Sequence, residues 1–173
     1  MSSAFLKNET ADAPVVIPAR APLPPGTPNY VTQQGLTLLH TELRDLETQR
    51  ASLQAAKADD ENERSRQLAL LNGRIGKLNE RLSSAKVVDK QEQGKVRFGA
   101  TVTLSLLTGP SAGTERQLRI VGVDQANATG GLIAFTAPLA RALQGKQIGE
   151  TISWPSPQGQ QVMEIRRISY ETV

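Results

Sequence analysis

Residues 36–53 read LTLLHTELRDLETQRASL and residues 68–82 read LALLNGRIGKLNERL. In the first run Leu36, Leu39, Leu43, Leu46 and Leu53 recur at spacings of 3, 4, 3 and 7. In the second, Leu68, Leu71, Ile75, Leu78 and Leu82 recur at 3, 4, 3 and 4. An apolar repeat of about 3.5 residues is the seam of a coiled coil, with one stripe of each helix facing a partner helix. Thr32 stands just before the first run and suits an N-cap. Arg50 occupies one seam position, so packing there should be less dry. The intervening stretch QAAKADDENER (54–64) has no seam. A turn within 56–63 would fold the two arms into an antiparallel hairpin. Gly73 and Gly76 cost the second arm about 1 kcal/mol each relative to alanine, and they permit close helix approach.

Charge agrees with a hairpin. Residues 36–63 carry three basic and seven acidic side chains, net −4, whereas 64–85 carry five basic and one acidic, net +4. Arms of opposite sign suit pairing through the positions flanking the seam. The alternative is one continuous helix that dimerises; the polar stretch with paired Asp59 and Asp60 and with Asn62 argues against it.

Outward from the arms the pattern changes twice. Towards the N-terminus, six of the ten prolines fall between Pro14 and Pro28, so 1–29 reads as a flexible or loosely extended tail. Its functional reading is a docking arm; its plain reading is a disordered extension. On the other side, 87–95 is a polar linker. Beyond it the period becomes two, with strands expected over 100–107, 115–123, 131–135, 147–154 and 160–169. Thr108-Gly-Pro-Ser, Ala128-Thr-Gly-Gly and Pro155-Ser-Pro-Gln-Gly159 mark turns. Pro138 to Gly145 reads as one short helix with proline in its first turn and a glycine stop. The expectation is an α+β chain: a helical hairpin over 30–86, then a small antiparallel sheet domain over 96–173 with one short helix on its face.

Composition excludes several functions. The 173 residues contain no cysteine and one histidine, His40, which rules out disulfides, thiol nucleophiles and multi-histidine zinc sites. Aromatics are 3%, too few for a ring-lined pocket or a base-stacking platform; Phe98, Phe135, Trp154 and Tyr170 read as core or rim. The net charge of +3 is too weak alone to imply nucleic-acid binding. There is no apolar run of membrane-spanning length and no secretory pattern at the N-terminus, so no membrane partner and a cytoplasmic location are expected. At the expected turn lie Asp59, Asp60, Glu61 and Glu63. These are either a solvated turn or a tip that presents carboxylates to a divalent cation whose other ligands come from elsewhere.

Several segments, in order, resemble the bacterial Gre-type transcription elongation factors. Asn29-Tyr-Val-Thr-Gln-Gln-Gly-Leu36 is similar to the family's Y-[IV]-T-x-x-G-L opening. Gly73-Arg-Ile and Leu82-Ser-Ser-Ala85 match the second arm. FGATVTL (98–104), IVGVDQA (120–126) and PLARALQGK (138–146) match the sheet domain. The resemblance covers roughly 30–170. It implies an FKBP-like sheet domain at the rim of RNA polymerase's secondary channel and a coiled coil that enters the channel. The tip acids Asp59, Asp60, Glu61 and Glu63 would then stand near the catalytic Mg²⁺. Asp60 and Glu61 would share a Mg²⁺ only within the polymerase complex, and no cofactor would be held stably. The factor would not be an enzyme itself; the polymerase would cleave its own backtracked transcript. Asp124, Pro138 and Arg141 would belong to the polymerase-binding face, or else be a turn-capping acid, a helix start and a solvated helix residue. Arg64, Arg66, Arg74 and Lys77, with Arg81, would meet the 3′ segment of the nascent RNA through phosphates, or else pair with the acidic arm. A monomer is expected.

The sequence departs from the family at the tip. The family pattern is D-x-x-E-N-x-E-Y; Glu61-Asn62 matches E-N, but Ala58 stands where the aspartate should be and the aromatic is missing. The coiled coil is also shorter than the family pattern by about six residues per arm, which at ~1.5 Å per residue removes roughly 9 Å of reach. The alternative function is therefore a non-cleaving channel regulator of the Rnk type. A prolyl isomerase, suggested by the FKBP-like domain, would need an aromatic-lined pocket. A coiled-coil adaptor unrelated to transcription is the third possibility.

Overall fold

The computed structural model describes residues 13–88 and 92–171; the first part of the expected tail and 89–91 of the linker lie outside the described residues. The arms form as two helices, α1 (Gln33–Ala55) and α2 (Glu61–Ser84), joined by the short turn 56–60. Thr32 caps α1 as expected: its hydroxyl accepts the Gly35 N–H at 2.9 Å. The arms run antiparallel, since Arg50 donates to Asn72 at 3.2 Å and Arg64 donates to the Gln54 carbonyl at 2.6 Å. Leu39, Leu46, Leu71, Ile75 and Leu78 are buried along the seam. Leu53 and Leu68, nearest the turn, are only half-buried, as are Leu36, Leu43 and Leu82. The seam is therefore only partly covered at both of its ends and at Leu43.

The chain divides into two compact units. One holds 39–83 with 13–20; the other holds 21–38 with 84–171. In the second unit β1 (Asn29–Val31) pairs with β2 (Ala85–Val87), and the pairing is parallel. Parallel neighbours need a long crossover, and here both helices lie between the two strands. Asn29 is buried and its amide donates to Ser84 at 3.1 Å, while the Val88 N–H donates to Val31 at 3.0 Å. Three-residue strands carry no period of their own, so the sequence reading missed this clip and assigned its residues to the tail, the hairpin and the linker.

The rest of this unit is a sheet of β3 (Thr101–Leu106), β4 (Glu115–Val121), β5 (Leu132–Ala134), β6 (Thr151–Ser156) and β7 (Gly159–Ser169), in the order β5-β4-β3-β7-β6. Four strands are antiparallel neighbours, as expected. The short β5 instead adds to β4 in parallel, because 122–131 doubles back through a 3-10 turn at Ala128–Gly130. The edge strand β6 tolerates Pro155, which lacks an N–H. One core unites Val102, Leu104, Leu118, Ile120, Met163 and Ile165 with Ala140 and Leu143 of α3 (Pro138–Leu143). Period-two alternation on β3 puts Val102, Leu104 and Leu106 on the covered face.

The few aromatics are concentrated where the clip meets this core. Tyr30, Phe98 and Phe135 form a ring triangle with centroids 5.5–5.9 Å apart, an arrangement favourable beyond area burial alone. Gly122 makes room for it: a Cβ there would lie 2.6 Å from the Tyr30 carbonyl oxygen. The tyrosine of the opening motif and the glycine of IVGVD are thus two sides of one close approach.

Candidate functional site

The hairpin turn brings the four tip acids together in an exposed stretch, but it gives them different duties. Asp60 is the N-cap of α2: its Oδ1 accepts the N–H groups of Asn62 at 2.9 Å and Glu63 at 3.2 Å. Helix N-termini leave such donors without intrahelical partners. Asp60-x-x-Glu63 is a capping-box spacing, a signal that could have separated this acid from its neighbours in the sequence. Glu61 and Glu63 occupy the first turn, where the helix dipole favours negative charge. Glu63 accepts from the Gln67 amide at 3.0 Å. Glu61 lies 3.5 Å from Arg64, with its side chain 75% exposed. Asp59 is exposed and makes no hydrogen bond or ion pair among the described residues.

These are hard oxygen donors of the kind Mg²⁺ takes. Yet among the described residues no three acidic or imidazole side chains lie close enough to hold a metal by themselves. With one Asp60 oxygen committed to the cap, Asp59 and Glu61 are the carboxylates best placed to contribute to an ion whose other ligands come from a partner. The donor set fits a shared ion.

The basic residues of α2 also have separate partners. Arg64 holds the turn through the Gln54 carbonyl, one of the last carbonyls of α1. Arg66 donates to the Ala13 carbonyl at 2.7 Å, and Lys77 to those of Ile17 at 3.2 Å and Pro18 at 3.4 Å. Residues 13–18 of the expected tail are therefore held against α2. Arg20 completes the contact with a two-pronged bond to Glu42 at 2.9 and 3.0 Å. That hydrogen bond, aided by the charges of Arg20 and Arg74, keeps the Glu42 carboxyl below its ordinary pKa against an opposing effect of burial. Arg74 lines a groove of about 580 Å³ with Thr48, Gln49, Ser52, Leu53, Gln67, Leu70 and Leu71. Arg50, at its seam position, turns its guanidinium to Asn72.

In the second unit Asp124 is half-buried in the turn after β4, while Pro138 and Arg141 are exposed on α3. His40 is exposed on α1. The sequence reading missed a polar junction beside Asp124. Gln125 is buried, accepts the Thr32 hydroxyl at 2.6 Å and donates to Gln34 at 3.2 Å. A glutamine in the turn after a strand gives no periodic signal. Tyr170 donates its hydroxyl to the Lys95 carbonyl and accepts the Arg97 N–H at 3.0 Å; burial raises its pKa. No described helix is long and apolar enough to cross a membrane.

Residues 90–170 match the family described as "Transcription elongation factor, GreA/GreB, C-term". A transcription elongation factor GreA of Hyphomonas neptunium is 37% identical over 105 residues, 60% of this chain and 65% of the relative. A GreB of Pasteurella multocida is 34% identical over 157 residues, 83% of this chain and 97% of the relative. A solved GreA/GreB structure from Nitrosomonas europaea is similar at 24% identity over 82% of this chain and 98% of its own, with a TM-score of 0.41. The first of these relatives is matched over less than two thirds of its length, the second over nearly all of it. That second match runs through the helical hairpin and the sheet domain alike, and with it the chain belongs to the GreA/GreB family of transcription elongation factors.

Proposed function

We propose that this factor binds RNA polymerase at its secondary channel, presents its tip acids towards the catalytic Mg²⁺ and stimulates the polymerase's own cleavage of backtracked transcripts. The observation that carries the reading is the tip itself. Asp59 and Glu61 are exposed carboxylates at the end of a two-helix arm, and neither is needed to cap α2. Asp60 and Arg64 keep the turn in shape by satisfying backbone groups at the ends of both helices. Pre-set geometry of this kind matters because misplacement by about 1 Å can cost 100-fold in rate. Mg²⁺ shared with the polymerase would supply Lewis-acid charge against the phosphodiester being hydrolysed. Asp59 and Glu61 would help hold it, while Arg64, Arg66, Arg74 and Lys77 would contact phosphates of the RNA 3′ segment. Asp124, Pro138 and Arg141 would face the polymerase from the sheet domain. The chain would act as an accessory factor.

One observation favours a second reading, in which the hairpin fills the channel without cleavage. The match to the Pasteurella relative spans 157 residues, whereas 83% of 173 is about 144. Roughly a dozen positions of the relative thus lack a counterpart here, in keeping with shorter arms. Both readings require channel binding. Competition for core polymerase between this protein and a labelled Gre factor should displace the label; failure to displace it at saturating concentration defeats both.

A further inference from the structure

The N-terminal arm forms an extended strap on α2. Arg66, Gly73 and Lys77 recur at spacings of seven and four, one stripe of a helix. From Arg66 to Lys77 the helix rises about 16 Å at ~1.5 Å per residue. From Ala13 to Pro18 a polyproline-like chain covers about 16 Å at ~3.1 Å per residue. The two lengths agree, so the arm can touch the stripe at both ends, through Ala13 and through Ile17 and Pro18. Between those ends Ile17 packs over Gly73; a Cβ there would lie 2.3 Å from Ile17 Cδ1 and 2.7 Å from its Cγ1. Pro14 and Pro18 lack N–H donors and have restricted φ. Such a segment offers carbonyls to cations and loses less entropy when it docks.

The grip on the cations is weak in kind. Residues 13–20 contain no acid, and among the described residues Arg66 and Lys77 are engaged only by neutral carbonyls. A phosphodiester oxygen carries a negative charge and can take an arginine fork bidentately, so it makes the stronger bond to these cations. We propose that the Arg66–Gly73–Lys77 stripe has two alternative occupants, the N-terminal arm and the phosphate backbone of single-stranded RNA, with the arm a displaceable cover that lowers RNA affinity until an RNA strand replaces it. This rests on the RNA-contact part of the proposed function and adds a regulation of that surface.

The test uses the full chain and a labelled oligouridylate at low salt. Gly73→Ala displaces Ile17 without changing charge. If the strap is docked in about four molecules of five, its release tightens RNA binding about fivefold. Arg20→Glu breaks the Glu42 clasp and makes the protein more acidic. Simple electrostatics then predicts weaker RNA binding, whereas release of the strap predicts tighter binding. Arg20→Glu combined with Glu42→Arg restores both net charge and clasp and should return affinity to the wild-type value. Arg66→Ala with Lys77→Ala, added to Gly73→Ala, should abolish the gain. Unchanged or weaker binding by both Gly73→Ala and Arg20→Glu overturns the proposal, as does a gain that survives loss of Arg66 and Lys77. Polymerase competition is scored separately. Its failure with the RNA effects intact removes channel binding and leaves the strap; its success without them removes the strap alone.

Discussion

The sheet core and the hairpin seam bury apolar side chains in opposite ways. The core packs residues from several strands and α3 into one cluster, with Leu104 and Ile165 fully covered. The seam has two sides only, and its burial fades to half at Leu53 and Leu68 beside the turn. A cluster closed on all sides resists change everywhere. A seam concentrates its stability in the middle and leaves its end free to carry exposed charge. That difference separates the residues that hold this protein together from those available to act on a partner.

The comparison can be broken most forcefully in the core. Leu104→Ala should lose about 3 kcal/mol, within the range for leucine truncation in closed cores. Leu71→Ala, 8% exposed on the seam, should lose less, about 2 kcal/mol, because a two-sided site relaxes more readily. Chemical denaturation of the two variants measures both; equal losses would erase the distinction. At the tip, Asp60→Ala should cost about 1 kcal/mol through loss of the α2 cap. Asp59→Ala should stay within about 0.5 kcal/mol of wild type. Similar costs for the two would mean that Asp60 is not the cap in solution.

The smallest effect concerns the Arg20–Glu42 clasp. The clasp lowers the Glu42 pKa, so it favours the docked arm above the ordinary glutamate value of about 4.3. Its contribution fades as the pH falls through the lowered value. An NMR titration should place Glu42 below an ordinary glutamate and move it upward in Arg20→Ala. Identical titrations in the two proteins would contradict the clasp.

Long periodic segments were legible in the sequence. The leucine spacing located both helices, opposite charge on the arms agreed with a hairpin, and Thr32 was identifiable as a cap. Alternation and turn residues located all five strands of the main sheet, because each face of a strand meets a different environment. Contacts without a period were not legible. The β1–β2 clip has three residues per strand, and Gln125 and Tyr30 act through partners remote in sequence. The prolines of the N-terminal arm exclude helix and sheet and leave a docking arm and a disordered extension both open; the cations on which residues 13–18 dock lie remote in sequence. At the candidate site the acids were identified as a group. Their division into a cap and exposed carboxylates required the point at which α2 begins.

The most direct measurement is RNA hydrolysis in stalled, backtracked polymerase complexes supplied with the full chain. The account predicts faster release of 3′ fragments with wild type and loss of that gain with Asp59→Asn plus Glu61→Gln, while polymerase binding is kept. Wild-type protein that binds the complexes yet leaves hydrolysis at its basal rate would contradict the cleavage role and leave channel occupancy as the function.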